Sequence, residues 1–207
     1  MDRCRSKCHL LFKWVDDVMR DEKILDTIED LIGPDILCWN TLFCTKEPHR
    51  ESFVSWHQDL NYCGLDTDEL VTVWLAISSA TTESGCMSVL PGSHKVELMP
   101  HRDEYQRDNM LTRGQEIAVE VDESETVAVP LEPGEASLHN GRLAHASAPN
   151  RSSERRIGLC SWRGPVRPPH AYTGSEAGFR SRSRCKKAAN AVREVLFHGA
   201  AKLRGTV

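Results

Sequence analysis

Apolar residues recur at helical spacing near the start of the chain and at strand spacing from residue 36 onward. Leu10, Leu11, Trp14, Val15, Val18 and Met19 form one apolar stripe, and Ile24, Leu25, Ile28, Leu31 and Ile32 form a second. Asp21 stands between them where a helix cap belongs, because its side-chain oxygen can accept from the free N–H groups of the next turn. Gly33-Pro34 ends the second stripe. The pattern predicts two short amphipathic helices packed on something larger.

Short β-type runs then follow: Ile36–Cys44, Leu70–Ser78, Cys86–Leu90, Ile117–Val121, Thr126–Leu131, Ala136–His139 and Arg156–Trp162. In the second, Val71, Val73, Leu75 and Ile77 alternate with Thr72, Trp74 and Ala76. Turn-forming sequences separate the runs, among them Glu83-Ser84-Gly85, Pro91-Gly92-Ser93 and Glu132-Pro133-Gly134-Glu135. Short strands punctuated in this way predict a mainly β sandwich or barrel. Residues 163–185, rich in Pro, Gly, Ser and Arg, read as a linker, and Lys186–Leu203 reads as a helix carrying Ala188, Ala189, Val192, Val195 and Leu196.

Charge divides the chain in two. The net charge is −4, yet residues 1–162 sum to −12 and residues 163–207 to +8. That excludes a uniformly basic nucleic-acid binder and leaves an acidic domain with a basic, poorly ordered tail. A solvated tail is the expected reading, so neither nucleic acid nor a lipid surface is expected as a partner. With 40% hydrophobic and 27% charged residues the chain is not disordered throughout. It has no run of about 18 apolar residues that would span a membrane. The charged start, Met1 to Lys7, does not read as a secretory signal, so a cytoplasmic location with reduced cysteines is expected.

The chemistry-bearing segment is Trp56-His57-Gln58-Asp59. On a strand, positions i and i+2 share a face, so His57 and Asp59 would present an imidazole and a carboxylate together. His145, 86 positions beyond Asp59, supplies a third donor. Two histidines and one carboxylate around one side of a metal, with open positions opposite, suit a non-haem Fe(II) oxygenase. Arg156 follows 11 residues after His145, and a guanidinium fork meets a carboxylate with two parallel hydrogen bonds. Arg155 then points away if Arg156 points inward. His139 reads either as a substrate contact or as a structural histidine, and Met99–Asp108 as a charged surface loop that could border a substrate entrance.

From about Leu10 to Trp162 the chain resembles the phytanoyl-CoA dioxygenase family of Fe(II)/2-oxoglutarate oxygenases. The resemblance rests on Trp56-His57-Gln58-Asp59 with Tyr62, on Val73-Trp74-Leu75-Ala76 and on Ser84-Gly85-Cys86-Met87 leading to Pro91-Gly92-Ser93-His94. Pro133-Gly134-Glu135 and His145-Ala146-Ser147-Ala148-Pro149-Asn150 with Arg155-Arg156 complete it. It implies a double-stranded β-helix, a jelly roll of the cupin-like kind, over residues 1–162, with an N-terminal portion shorter than the family's and the tail at 163–207. It implies His57, Asp59 and His145 as iron ligands, and Arg156 with Ser147 at the far carboxylate of 2-oxoglutarate. It places Trp74 on the wall of the cosubstrate pocket. Fe(II), 2-oxoglutarate and O2 are then the implied cofactor and cosubstrates, and a small molecule is the substrate. Aspartate at position 59 implies hydroxylation of a C–H bond, because related halogenases carry a small residue there. Two other readings stand beside this one: a non-catalytic jelly-roll binding protein that kept the residues, and an interaction protein acting through its tail. The sequence sets neither the substrate, among acyl-CoA thioesters, amino acids and natural products, nor an oligomeric state.

Overall fold

The computed structural model describes residues 6–64, 67–166 and 200–203, the last as backbone alone. The chain begins with α1 (Lys13–Met19) and α2 (Glu22–Ile32). Asp21 caps α2 as its sequence position predicts, accepting from the N–H groups of Lys23 and Ile24. Gly33, at φ +86, stops the helix in a conformation that side chains resist. Strands β1 (Ile36–Lys46) and β2 (Val54–His57), the short helix α3 (Leu60–Cys63), β3 (Val71–Ala76) and β4 (Met87–Val89) follow. Next come β5 (His101–Asp103), β6 (Gln115–Ile117), β7 (Val127–Val129), β8 (Ala136–Asn140), β9 (His145–Ser147), β10 (Arg156–Pro165) and β11 (Ala200–Leu203).

The larger sheet runs β1-β10-β3-β8-β11 and the smaller β2-β9-β4-β7, with β5-β6 as a separate hairpin; every pairing is antiparallel. Two sheets with residues of both lining one cavity make the jelly roll. The helices cover the outer face of the larger sheet. Ile24 and Ile28 of α2 pack on Ile36, Val71, Val73, Ala136 and Leu138. Val15 and Met19 of α1 pack with Cys38 and Leu159. Fully burying a side chain such as Ile28 contributes about 1.5–3 kcal/mol. The opposite face of β3 carries Thr72 and Trp74 toward the cavity. Both faces are therefore covered, and β3 is buried almost throughout, although its sequence alternates.

Several elements differ from the sequence expectation. The strand expected at Ile117–Val121 is β6, Gln115–Ile117, set by pairing with β5 inside the segment expected to be all loop. The strand expected to end at Trp162 continues to Pro165 because its partner β1 continues opposite it, from Lys46 back to Ile36. Arg163, on the tail side of the charge boundary, is thereby fully buried and donates to the Met19 carbonyl at the end of α1. A cation there also meets the negative end of the helix dipole. The helix expected over Lys186–Leu203 is corrected at its end: Ala200–Leu203 is a strand on the open edge of β8. The rest of that expected helix, and the linker from 167 on, lie outside the described residues.

Candidate metal and cosubstrate site

β2 delivers His57, and its Nδ1 lies 2.8 Å from the Ser55 carbonyl. β9 crosses beside it, with His145 in register opposite His57 and its own Nδ1 2.9 Å from the Leu143 carbonyl. A ring nitrogen that donates to a backbone carbonyl fixes the tautomer and leaves Nε2 as a neutral lone pair. The two imidazoles lie 4.1 Å apart between centroids.

Asp59 reaches them by a different route from the one its spacing suggests. β2 ends at His57, and Asp59 sits in helical conformation (φ −56, ψ −38) at the head of α3. A turn, not strand alternation, places the carboxylate. The buried Gln58 secures that turn: its amide nitrogen donates to the Arg142 carbonyl and its amide oxygen accepts from Met99 N–H. Asp59 Oδ1 then lies 3.6 Å from His57 Nε2 and 4.0 Å from His145 Nε2. One donor atom from each of the three falls within 4.8 Å of the others.

The rest of the carboxylate is held from behind. Thr72 Oγ1 donates to Oδ2 at 2.6 Å and Tyr62 donates its hydroxyl to Oδ1 at 3.1 Å. His139 Nε2 stands 3.4 Å from Oδ2. Burial alone would push Asp59 up, but the charge on His145 and the neighbouring His139 and His57 outweigh it and hold the carboxyl well below its usual range. Burial, and next the charge on His57, hold His145 well below the usual imidazole value. The same burial, with Asp59 alongside, raises Tyr62 well above the phenol value, so it stays a donor. Two imidazoles and one carboxylate, with no thiolate, fit a divalent ion of the iron type. Such an ion would also neutralise a carboxylate otherwise buried without full compensation.

A second cluster sits deeper in the same cavity. Arg156, 2% exposed at the start of β10, donates from Nη1 to the Gly85 carbonyl (2.8 Å) and to Ser147 Oγ (3.3 Å). Its guanidinium lies over Trp74 at 5.3 Å. Ser147 Oγ itself donates to the Gly85 carbonyl at 3.0 Å. Gly85 must be glycine: it sits at φ +71, and a Cβ there would lie 2.1 Å from the Ala148 carbonyl oxygen. Arg155 points outward to Glu47, 3.0 Å away, as strand alternation requires. The cavity has a volume of about 490 Å³ and is lined by the triad, by Arg156, Ser147 and Trp74, and by apolar side chains such as Met87, Met110 and Leu111.

Two participants have little or no mark in the sequence. Lys46, fully buried at the end of β1, donates from Nζ to the Ser147 carbonyl at 2.9 Å and also to Ser147 Oγ and the Ala148 carbonyl. Burial first, and then the charge on Arg156, bring its pKa down to about 7. A lysine closing a strand is ordinarily a solvated residue, and nothing local distinguishes this one. Thr72 did carry a signal, since it alternates in step with Trp74 and must share its face.

Comparison with known proteins agrees with this geometry. Residues 6–158 match the family model described as Phytanoyl-CoA dioxygenase (PhyH). A probable alpha-ketoglutarate-dependent hypophosphite dioxygenase of Stutzerimonas stutzeri is 31% identical over 151 residues, covering 72% of this chain and 52% of that protein. The human peroxisomal phytanoyl-CoA dioxygenase is 28% identical over 134 residues, covering 63% and 40%. Among solved structures, the apo form of the non-heme monooxygenase ThoJ superposes with a TM-score of 0.74 at 34% identity, covering 86% of this chain and 65% of that one. The chain thus spans about half the length of the curated relatives it matches. Among the described residues no helix is long and apolar enough to cross a membrane.

Proposed function

Because the chain belongs to the phytanoyl-CoA dioxygenase family, we propose that it works as an Fe(II)- and 2-oxoglutarate-dependent oxygenase that hydroxylates a C–H bond of a small organic molecule. The balance is substrate C–H plus 2-oxoglutarate plus O2 giving substrate C–OH, succinate and CO2. One observation carries the reading: a metal-type donor set and a buried arginine–serine pair open onto the same cavity.

His57, Asp59 and His145 would hold the iron, and Arg156 with Ser147 would hold the far carboxylate of 2-oxoglutarate against the face of Trp74. Bound iron supplies O2 activation coupled to oxidative decarboxylation of the cosubstrate. The protein's own part is positional. The carbonyls of Ser55 and Leu143 keep both imidazoles in the ligating tautomer. Thr72 and Tyr62 donate to the Asp59 carboxylate and keep it aimed. The guanidinium of Arg156 is fixed before any ligand arrives, so little reorganisation accompanies binding.

The test is titration of 2-oxoglutarate into Mn(II)-loaded protein without oxygen, followed by succinate measurement with Fe(II) in air. Saturable binding that is lost in Arg156→Ala, together with Fe(II)-dependent succinate, is expected. A metal-loaded protein with no measurable 2-oxoglutarate affinity would instead be a non-catalytic jelly roll.

A further inference from the structure

We propose that the molecule this site oxidises is uncharged and apolar, neither a small oxyanion nor a CoA thioester; the inference rests on the oxygenase reading above. The charge inventory of the cavity carries it. Among the described residues, Arg156 is the sole lysine or arginine lining the cavity. Its Nη1 already donates to Gly85 and Ser147, where the cosubstrate's far carboxylate would need it. Lys46 points its ammonium into the carbonyls of Ser147 and Ala148, and Lys7 lies over the Trp39 ring at 5.4 Å; neither lines the cavity.

Beyond the triad and Arg156 much of the lining is apolar, with Ser6, Asn40 and Thr112 among its uncharged polar members. Trp39 and Phe43 come from β1, and Met110 and Leu111 from the turn after β5, with Met87 of β4 beside them. An anion taken from water into such walls loses its hydration and finds no cation. An apolar group loses nothing of the kind, and aromatic and thioether side chains pack against rings with added attraction. A volume of about 490 Å³ falls in the range of roughly 300–1,000 Å³ that holds drug-sized ligands.

Phe43 also packs against Trp14 of α1, with ring centroids 5.8 Å apart, and Leu10, Leu11 and Trp14 are exposed. The relative from Stutzerimonas stutzeri is named for hypophosphite, an anion, and among the described residues no second lysine or arginine lines this cavity to receive one.

The experiment uses the full chain loaded with Mn(II) and 2-oxoglutarate without oxygen. The first step is the 2-oxoglutarate titration itself, because failure there removes the oxygenase reading and not only this one. Indole, 2-naphthol and geraniol are then titrated beside hypophosphite, phosphate, L-proline and decanoyl-CoA, by ligand-observed NMR and tryptophan fluorescence. Saturable binding of at least one uncharged probe, weakened at least tenfold in Leu111→Arg while the 2-oxoglutarate titration is unchanged, is the expected result. Tighter binding of hypophosphite, phosphate, proline or the CoA thioester than of every uncharged probe overturns the proposal. So does the absence of saturable binding by all three uncharged probes in protein that binds 2-oxoglutarate.

Discussion

His139 Nε2 lies 3.4 Å from Asp59 Oδ2, the carboxylate oxygen that Thr72 also holds, and both His139 ring nitrogens lack a hydrogen bond in the structure. The histidine is almost wholly buried and is not one of the three convergent donors. If the three donors hold a metal, His139 and Thr72 both stand behind its carboxylate ligand. Removing an outer partner of a ligating group commonly costs 10–100-fold in metal affinity. Thr72→Val and His139→Ala are each expected to weaken Mn(II) binding by about tenfold or more, read by EPR titration. Arg156-dependent 2-oxoglutarate binding at saturating metal should persist in both. Unchanged Mn(II) affinity in both variants would show that Asp59 needs no such support.

Arg156→Lys keeps the charge and removes the fork. Only a planar guanidinium can meet Gly85, Ser147 and a carboxylate together in this geometry. Hydrogen bonds to charged groups are worth about 1.5–3 kcal/mol, so 2-oxoglutarate affinity should fall on the order of 10–100-fold. Calorimetric titration of the Mn(II)-loaded variant checks it, with Mn(II) affinity as the internal control.

Gly158→Ala tests the floor beneath that arginine. A Cβ at 158 would lie 2.1 Å from Trp74 Cζ2 and 2.5 Å from Cε2. The indole must move, and it is the face on which the Arg156 guanidinium rests. Overpacking of this kind costs about 1–3 kcal/mol of stability. A urea melt should show that loss, and the 2-oxoglutarate titration should weaken more than the Mn(II) titration.

Lys46 makes a pH prediction. Its pKa is lowered from 10.5 to about 7 in the folded protein. Between those values the unfolded chain binds more protons than the folded one, so folding stability gains as pH rises through that window. Below pH 7 the full penalty of a buried ammonium is present. Urea melts of wild type and Lys46→Met at pH 6.5, 7.5 and 8.5 should show the wild type gaining on the variant, with a slope approaching about 1.4 kcal/mol per pH unit. A difference that stays flat with pH would mean that Lys46 remains charged throughout.

How much of this was legible in the sequence depends on the range over which each signal acts. The Asp21 cap and the Gly33 stop are local, and both stand in the structure as the sequence states them. His57 and Asp59 were legible as a pair, yet the reason given by spacing was wrong. A turn secured by Gln58, whose partners lie 41 and 84 residues away, places the carboxylate. The expected end of the strand at Trp162 was short for the same reason. Composition changes at residue 163, but strand pairing with β1 carries β10 on to Pro165 and buries Arg163 against α1.

The sequence by itself determined the donor types, His57, Asp59 and His145, an arginine of the kind that suits a carboxylate, and a turn at Gly85. These are matters of residue chemistry and of backbone conformation over a few positions. Tertiary structure alone decided that Lys46 is a buried clamp on Ser147, that His139 backs Asp59, and that Arg156 is the one lysine or arginine among the described residues lining the cavity. Each of these depends on which strands lie side by side and in what register. Register brings together groups from 9 to 101 residues apart in the chain, such as Arg156 with Ser147 and Lys46 with Ser147. No periodicity within a single segment carries that information.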